Sequence, residues 1–329
     1  MRRQLGPGDL LVLRALGLGD LLTGVPALRG LRRRFPGRTL VLAAPAAIGA
    51  FLRGRGVVDE VLVTDGLAPL GARGRGHLAV DLHGKGPESR QLLADTGPDD
   101  LLGFATTGPR GPFEGPQWVR HEHEVARWCR LVAAWGAQCG PEDLRLRPRR
   151  AQGGAPPAGP VVVHPGAAFA ARRWPVERWA LVVADLVGRG LEVVVTGTAA
   201  ERPLGAALAA AGAVDRCGAS DLDGLADLVA GARLVLSGDT GTAHLATAFA
   251  VPSVTLFGPT PPAWWGPAVD VDLHPVLWHG DPAAQDYVGD PHGAEVDPTL
   301  ALIGVEEVLD AAHAQLGAHR PAARQPAAR

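Results

Sequence analysis

The stretch Leu234-Val235-Leu236-Ser237-Gly238-Asp239-Thr240-Gly241-Thr242-Ala243-His244 sets three apolar residues before a polar, glycine-containing turn, and apolar residues at helical spacing follow it. That order predicts a strand at Leu234–Leu236, a loop, a helix over Gly241–Ala250 and a further strand at Ser253–Phe257. A helix N-terminus presents unpaired N–H groups and a partial positive charge, so a diphosphate fits there. Thr240 and Thr242 can add hydroxyl donors, and His244 falls one turn after Thr240 on the same face. Asp239 would repel phosphate at close range and is better suited to accepting hydrogen bonds from sugar hydroxyls. The bland alternative is a capped helix with a core histidine. The clustering of so many polar groups at one strand end favours the ligand site.

Working outward, the same β/α alternation fills the second half of the chain. Val161–Val163 and Val193–Thr196 read as strands, Val176–Val187 and Ala199–Ala211 as helices, and residues 301–317 as a last amphipathic helix that can pack back on the first domain. Before it, the run from Pro148 to Pro160 has no apolar periodicity and several breakers, which makes it a linker. The first half repeats the pattern: the apolar run Leu10–Leu13, a glycine-containing turn, a helix over Leu21–Phe35 stopped by Pro36-Gly37, then strands at Thr39–Ala43, Val57–Val63 and Leu78–Leu82. A helix over 121–139 closes it. The expected organisation is a Rossmann-like domain over 1–150, a second over 151–317 and a disordered tail over 318–329. Two such sheets facing each other would form a cleft at the carboxyl ends of their strands.

Composition bounds the function. Hydrophobic residues are 47% and charged residues 20% of the 329, enough for sizeable cores, and a net charge of −2 gives no general attraction to nucleic acid. Cys129, Cys139 and Cys217 match no disulfide framework or metal motif and read as buried small hydrophobes in a reducing compartment. Leu10–Leu13 is too short for a signal-peptide core, no run approaches a membrane span, and the arginine-bearing tail would touch an anionic surface weakly at most. A cytoplasmic protein is expected. Of the 32 basic residues only Lys85 is a lysine.

Three further loops follow strands. Arg14-Ala15-Leu16-Gly17-Leu18-Gly19-Asp20 places a carboxylate at the start of a helix, where Asp20 either projects into the cleft or caps the helix. His164-Pro165-Gly166 leads to Arg172-Arg173-Trp174-Pro175, whose arginines could hold a phosphate or sit solvated on the surface. Thr196-Gly197-Thr198 leads to Glu201, a partner for a nucleoside or an acidic first helical turn. Two D-x-D triplets, Asp221–Asp223 and Asp270–Asp272, read as solvated, and His121-Glu122-His123 reads as an exposed helix start rather than a metal site.

Together these pieces resemble glycosyltransferase family 9, the heptosyltransferases, over nearly the whole chain. Asp239-Thr240-Gly241-Thr242-Ala243-His244-Leu245, then Phe257-Gly258-Pro259-Thr260-Pro261 and Trp265-Gly266-Pro267, look like the family's D-[ST]-G-x-x-H-L and F-G-P-T-x-P blocks in order and spacing. Gly19-Asp20 with Pro26-Ala27-Leu28, and Asp81-Leu82-His83-Gly84, are similar to its N-terminal blocks. Arg173 stands where the family usually has lysine, and Ala167 and Ala168 where it often has Ser or Thr. The resemblance implies a GT-B fold, two Rossmann-like domains about a central cleft, and inverting transfer from an ADP-heptose-like donor with Asp20 as general base. Donor contacts would fall to Arg173, Thr198, Glu201, Asp239, Thr240, Gly241, Thr242 and His244, and the acceptor region to Gly19, His83 and Lys85. No metal and no cofactor beyond the nucleotide-sugar co-substrate is expected. The acceptor would be a glycan, a glycolipid or a secondary metabolite. Two rival readings stay open: an enzyme acting on a UDP- or GDP-sugar, including a sugar-nucleotide epimerase, and a non-catalytic nucleotide-binding or assembly protein. A nicotinamide oxidoreductase lacks the third glycine of its fingerprint after Gly17-Leu18-Gly19.

Overall fold

The computed structural model describes residues 3–109, 111–148, 159–284 and 286–318. The chain forms two compact units that divide after Leu146. Most of the linker read between Pro148 and Pro160 lies outside the described residues, as does the tail from 319 onward.

In the first unit, β1 (Asp9–Leu13), β2 (Thr39–Ala44), β3 (Glu60–Val63), β4 (Leu78–Asp81) and β5 (Asp100–Leu102) make one parallel sheet in the order β3-β2-β1-β4-β5. Leu10–Leu13 and Leu40–Ala44 are buried throughout, as strands covered on both faces must be. The chain leaves β1 toward β2 on one side and returns to β4 on the other. Loops after β1 and β4 therefore diverge, opening a crevice at their carboxyl ends.

The helix expected over Leu21–Phe35 is two helices, Leu18–Thr23 and Val25–Arg34. Gly24 makes the break because the Arg14 side chain crosses there: a Cβ on Gly24 would stand 2.9 Å from Arg14 Cδ. Pro26 then occupies the first turn of the second helix, where its missing N–H costs nothing. The helix expected over 121–139 is shorter, Glu124–Ala133, and His123 caps it by accepting from the Val125 N–H at 3.2 Å. Glu122 pairs with Arg130 at 2.7 Å. Cys129 and Cys139 are half-buried rather than buried, while Cys217 is buried.

The second unit repeats the plan. Strands β6 (Val161–His164), β7 (Val193–Val195), β8 (Val214–Asp215), β9 (Leu234–Gly238), β10 (Ser253–Leu256) and β11 (Val276–Leu277) are parallel, in the order β8-β7-β6-β9-β10-β11. The order reverses between β6 and β9, where His164 lies opposite Ser237. Both units are thus Rossmann-like open sheets. The helix Leu222–Gly231, absent from the sequence reading, is capped by Asp221 accepting from the Gly224 N–H at 2.8 Å, which gives one D-x-D triplet a structural role.

The last helix, Val305–Ala318, buries Val308 and Ala312 in the core of the second unit with Leu300, Ile303, Leu236 and Leu256. Its apolar face is taken up there. Trp174 Nε1 donates to the Ile303 carbonyl at 3.1 Å, and Arg178 Nη1 reaches the Ala301 and Ile303 carbonyls at 2.6 and 2.8 Å, tying down the turn before this helix. Among the described residues no helix is long and apolar enough to cross a membrane.

Candidate functional site

In the first unit the helix that follows β1 carries Gly19 and Asp20 and the loop after β4 carries His83 and Lys85, and adjacent strands bring them to one end of the sheet. Asp20 is the third residue of the helix Leu18–Thr23, whose N-cap is Gly17, so the capping alternative for Asp20 does not hold. Its carboxylate is half-buried, lies within 3.4 Å of where a Gly17 Cβ would be, and accepts no hydrogen bond among the described residues. Its lone pairs are available to a ligand. His83 is fixed more tightly. The Ala15 N–H donates to its Nδ1 at 3.2 Å, so the neutral ring carries its proton on Nε2. Burial, with the nearby Arg14 charge, pushes the His83 pKa down to about 4. Beneath it Asp81 is fully buried, accepts from the His83 N–H at 2.9 Å and the Ser89 hydroxyl at 2.7 Å, and is pushed up to about 6 by burial. Lys85 is exposed.

In the second unit β9 runs into the helix Gly241–Phe249. Thr240 is its N-cap, yet the hydroxyl makes no capping bond, and Thr240 Oγ1 is buried without a partner. The first-turn N–H groups at Gly241 and Thr242 have no backbone acceptor among the described residues, as is usual at a helix start. The loop after β6 meets this turn: Arg172 Nη1 lies 3.5 Å from the Asp239 carbonyl, and the Arg172 carbonyl would be 3.0 Å from a Cβ on Gly238. Arg173 Nε is tethered to the Ala167 carbonyl at 2.8 Å, which orients the guanidinium while leaving its two terminal nitrogens for another partner. Glu201 accepts from the Thr198 N–H at 2.7 Å and hydroxyl at 2.9 Å, forming a capping box, and its carboxylate occupies the space a side chain at Gly166 would need. Glycine at 166 is what lets the two loops approach. His164, half-buried at the end of β6, has its pKa lowered by desolvation and is bonded to Thr196 Oγ1 at 3.0 Å.

Beside this turn is a shallow, open pocket lined among others by Asp239, His244, Thr255, Trp265, Gly266 and His274. The His244 and Trp265 rings meet edge-on at 6.2 Å. His274, 1% exposed and paired with Ser253 Oγ at 2.9 Å, was not singled out from sequence; it belongs to no motif and reaches the pocket only through the sheet. Asp239 and Thr242 are also nearly buried, at 7% and 2%. The donor-side residues named from sequence thus lie on the segments that follow β6, β7 and β9, with Gly241, Thr242 and His244 in the helix after β9.

Two Rossmann-like sheets, one with a helix N-terminus and oriented arginines at its switch point and the other with an unengaged carboxylate at its own, are the elements of a GT-B fold. The model of glycosyltransferase family 9 (heptosyltransferase) matches residues 117–280. Lipooligosaccharide heptosyltransferase 2 of Haemophilus influenzae is 30% identical over 159 residues, covering 44% of this chain and 46% of that protein. The chain's match therefore spans about half the length of that relative. Among solved structures, a family 9 glycosyl transferase from Veillonella parvula superposes with a TM-score of 0.75 at 18% identity, over 97% of this chain and all of that one. The E. coli ADP-heptose lps heptosyltransferase II superposes at 0.68 and 20% identity, over 94% and 99%. Over residues 117–280, just under half of its length, the chain carries the pattern of glycosyltransferase family 9.

Proposed function

We propose that this protein is an inverting, metal-independent glycosyltransferase that moves a heptose-like sugar from an ADP-linked donor to a hydroxyl of a glycan or glycolipid in the cytoplasm. The observation that carries the reading is the helix N-terminus at Gly241, which Thr240 heads without capping and toward which the Arg172-Arg173 loop folds. That arrangement suits a diphosphate. The sugar would lie in the adjoining pocket, with Asp239 accepting from its hydroxyls and Trp265 offering an apolar face. Glu201 and Thr198, at the next loop, are placed for the nucleoside. The choice of ADP and heptose follows the names of the relatives.

In the first unit Asp20 would take the acceptor proton as the hydroxyl oxygen attacks the anomeric carbon. The bond from that carbon to the diphosphate oxygen breaks in the same displacement, and configuration inverts. The electron pair leaves on ADP, whose developing charge the first-turn N–H groups and Arg173 stabilise. His83, neutral with Nε2–H outward-capable, can donate to another acceptor oxygen. Arginine and helix-terminus donors supply the positive charge a divalent ion would otherwise bring.

Thermal-shift titration with ADP, UDP and GDP tests the donor assignment, since a ligand raises the melting temperature only of the fold that binds it. Stabilisation by ADP above the other two is expected. Preferential stabilisation by UDP or GDP would overturn it.

A further inference from the structure

Arg14 takes no part in the chemistry above, yet it is among the largest side chains with no exposure at all. A guanidinium 0% exposed must place its donors well, or its desolvation goes uncompensated. Here Nε donates to the Asp20 carbonyl at 2.6 Å, Nη1 to the Leu82 carbonyl, and Nη2 to Thr23 Oγ1 at 3.0 Å. Thr23 Oγ1 passes its own proton to the Asp20 carbonyl at 2.8 Å. The positive charge faces Glu124 at 3.8 Å and the Trp128 ring, whose centroid is 4.5 Å from Cζ. Burial moves the Arg14 pKa down only to about 10, opposed by the charges of Asp20 and Asp81, so it remains a cation at neutral pH. The side chain reaches these partners through the gap that Gly24 leaves open.

Two loops that are far apart in sequence are therefore gripped by one rigid fork. We propose that Arg14 is the positioning residue of the transfer site, clamping the backbone at Asp20 to the backbone at Leu82 and so fixing the base relative to His83. The proposal rests on the reading of Asp20 as base. A lysine would keep the charge but satisfy these separated acceptors poorly, because only the planar fork presents several donors in fixed directions. Displacing a reacting group by about 1 Å can cost on the order of 10²-fold in rate, so the effect should appear in kcat.

The test is a double-mutant cycle on Arg14→Lys and Asp20→Asn, read as ADP release from ADP-heptose with water standing in for the acceptor hydroxyl, alongside direct titration of ADP affinity. Arg14→Lys is expected to lower kcat by roughly 10- to 100-fold with donor KM and ADP affinity within about twofold of wild type. In the Asp20→Asn background the same change should cost less than about twofold, since the residue it positions is already disabled. A loss that multiplies fully in that background, or one that falls on ADP affinity, marks a merely structural role and overturns the proposal. If Asp20→Asn alone turns over normally, the base reading fails first and the proposal goes with it. Should Arg14→Lys not fold, Thr23→Val decides: a fall in kcat that Thr23→Ser restores supports the clamp, and an unchanged kcat rejects it.

Discussion

Asp81 and His83 are two residues apart and titrate in opposite senses, which gives a stability signature that can be taken apart by substitution. Burial raises Asp81 from 3.8 to about 6, so between those values the folded protein holds a proton that the unfolded chain has released. Stability from this group is present below the unfolded value and is lost as pH rises through the folded one. Roughly two pH units at about 1.4 kcal/mol each make that loss about 3 kcal/mol. His83 is lowered from 6.5 to about 4, so over the same range it is the unfolded chain that holds the extra proton, and stability rises with pH. In the wild type the two slopes oppose each other. Urea unfolding at intervals from pH 4 to 6.5 should therefore show Asp81→Asn gaining stability relative to wild type as pH rises, by up to about 3 kcal/mol. His83→Gln should move the other way over the same interval. Difference curves cancel the background of the remaining carboxylates. A flat difference for Asp81→Asn would mean that Asp81 is ionised throughout in the folded protein, and the packing argument around β4 would fail.

Other expectations follow from the two sites. Asp20→Asn keeps the size of the side chain and leaves the Gly17 cap untouched, so melting should change little while turnover falls by about 10²- to 10⁴-fold and ADP affinity, measured by calorimetry, holds. Asp239→Asn and His244→Ala should each weaken donor use, seen as a raised donor KM or reduced kcat/KM, with the cooperative melt retained; normal kinetics in either would remove the sugar from the pocket beside Trp265. Activity should persist in excess chelator. Loss that magnesium or manganese restores would overturn the assignment of the diphosphate to Arg173 and the helix terminus.

Much of this architecture was legible because parallel strands covered on both faces are uninterrupted apolar runs, as at Leu10–Leu13, Val161–Val163 and Leu234–Leu236. Polar residues following such runs point to the carboxyl end of the sheet, and the proposed donor-side residues were chosen this way. What depends on contacts between distant segments was not legible. The break at Gly24 comes from a side chain ten residues earlier passing through it, so helical periodicity alone carries Leu21–Phe35 straight across. Asp221 reads as half of a solvated carboxylate pair until the helix it caps is seen. The last helix is amphipathic in either location, and only the burial of Val308 and Ala312 shows which core receives it. Arg14 opens the loop to Asp20 but nothing in that loop gives it a role, and His274 lies in no motif; their positions matter because the sheet order sets them beside segments from elsewhere in the chain.

The most direct test of the central claim is the stereochemistry of transfer. The protein is incubated with ADP-heptose and a lipopolysaccharide-core acceptor, and the anomeric configuration of the first product is read by proton NMR while ADP release is followed in parallel. Release of ADP in step with a product of inverted configuration is the expected result. A retained configuration, or release from a UDP- or GDP-sugar with none from ADP-heptose, would contradict it.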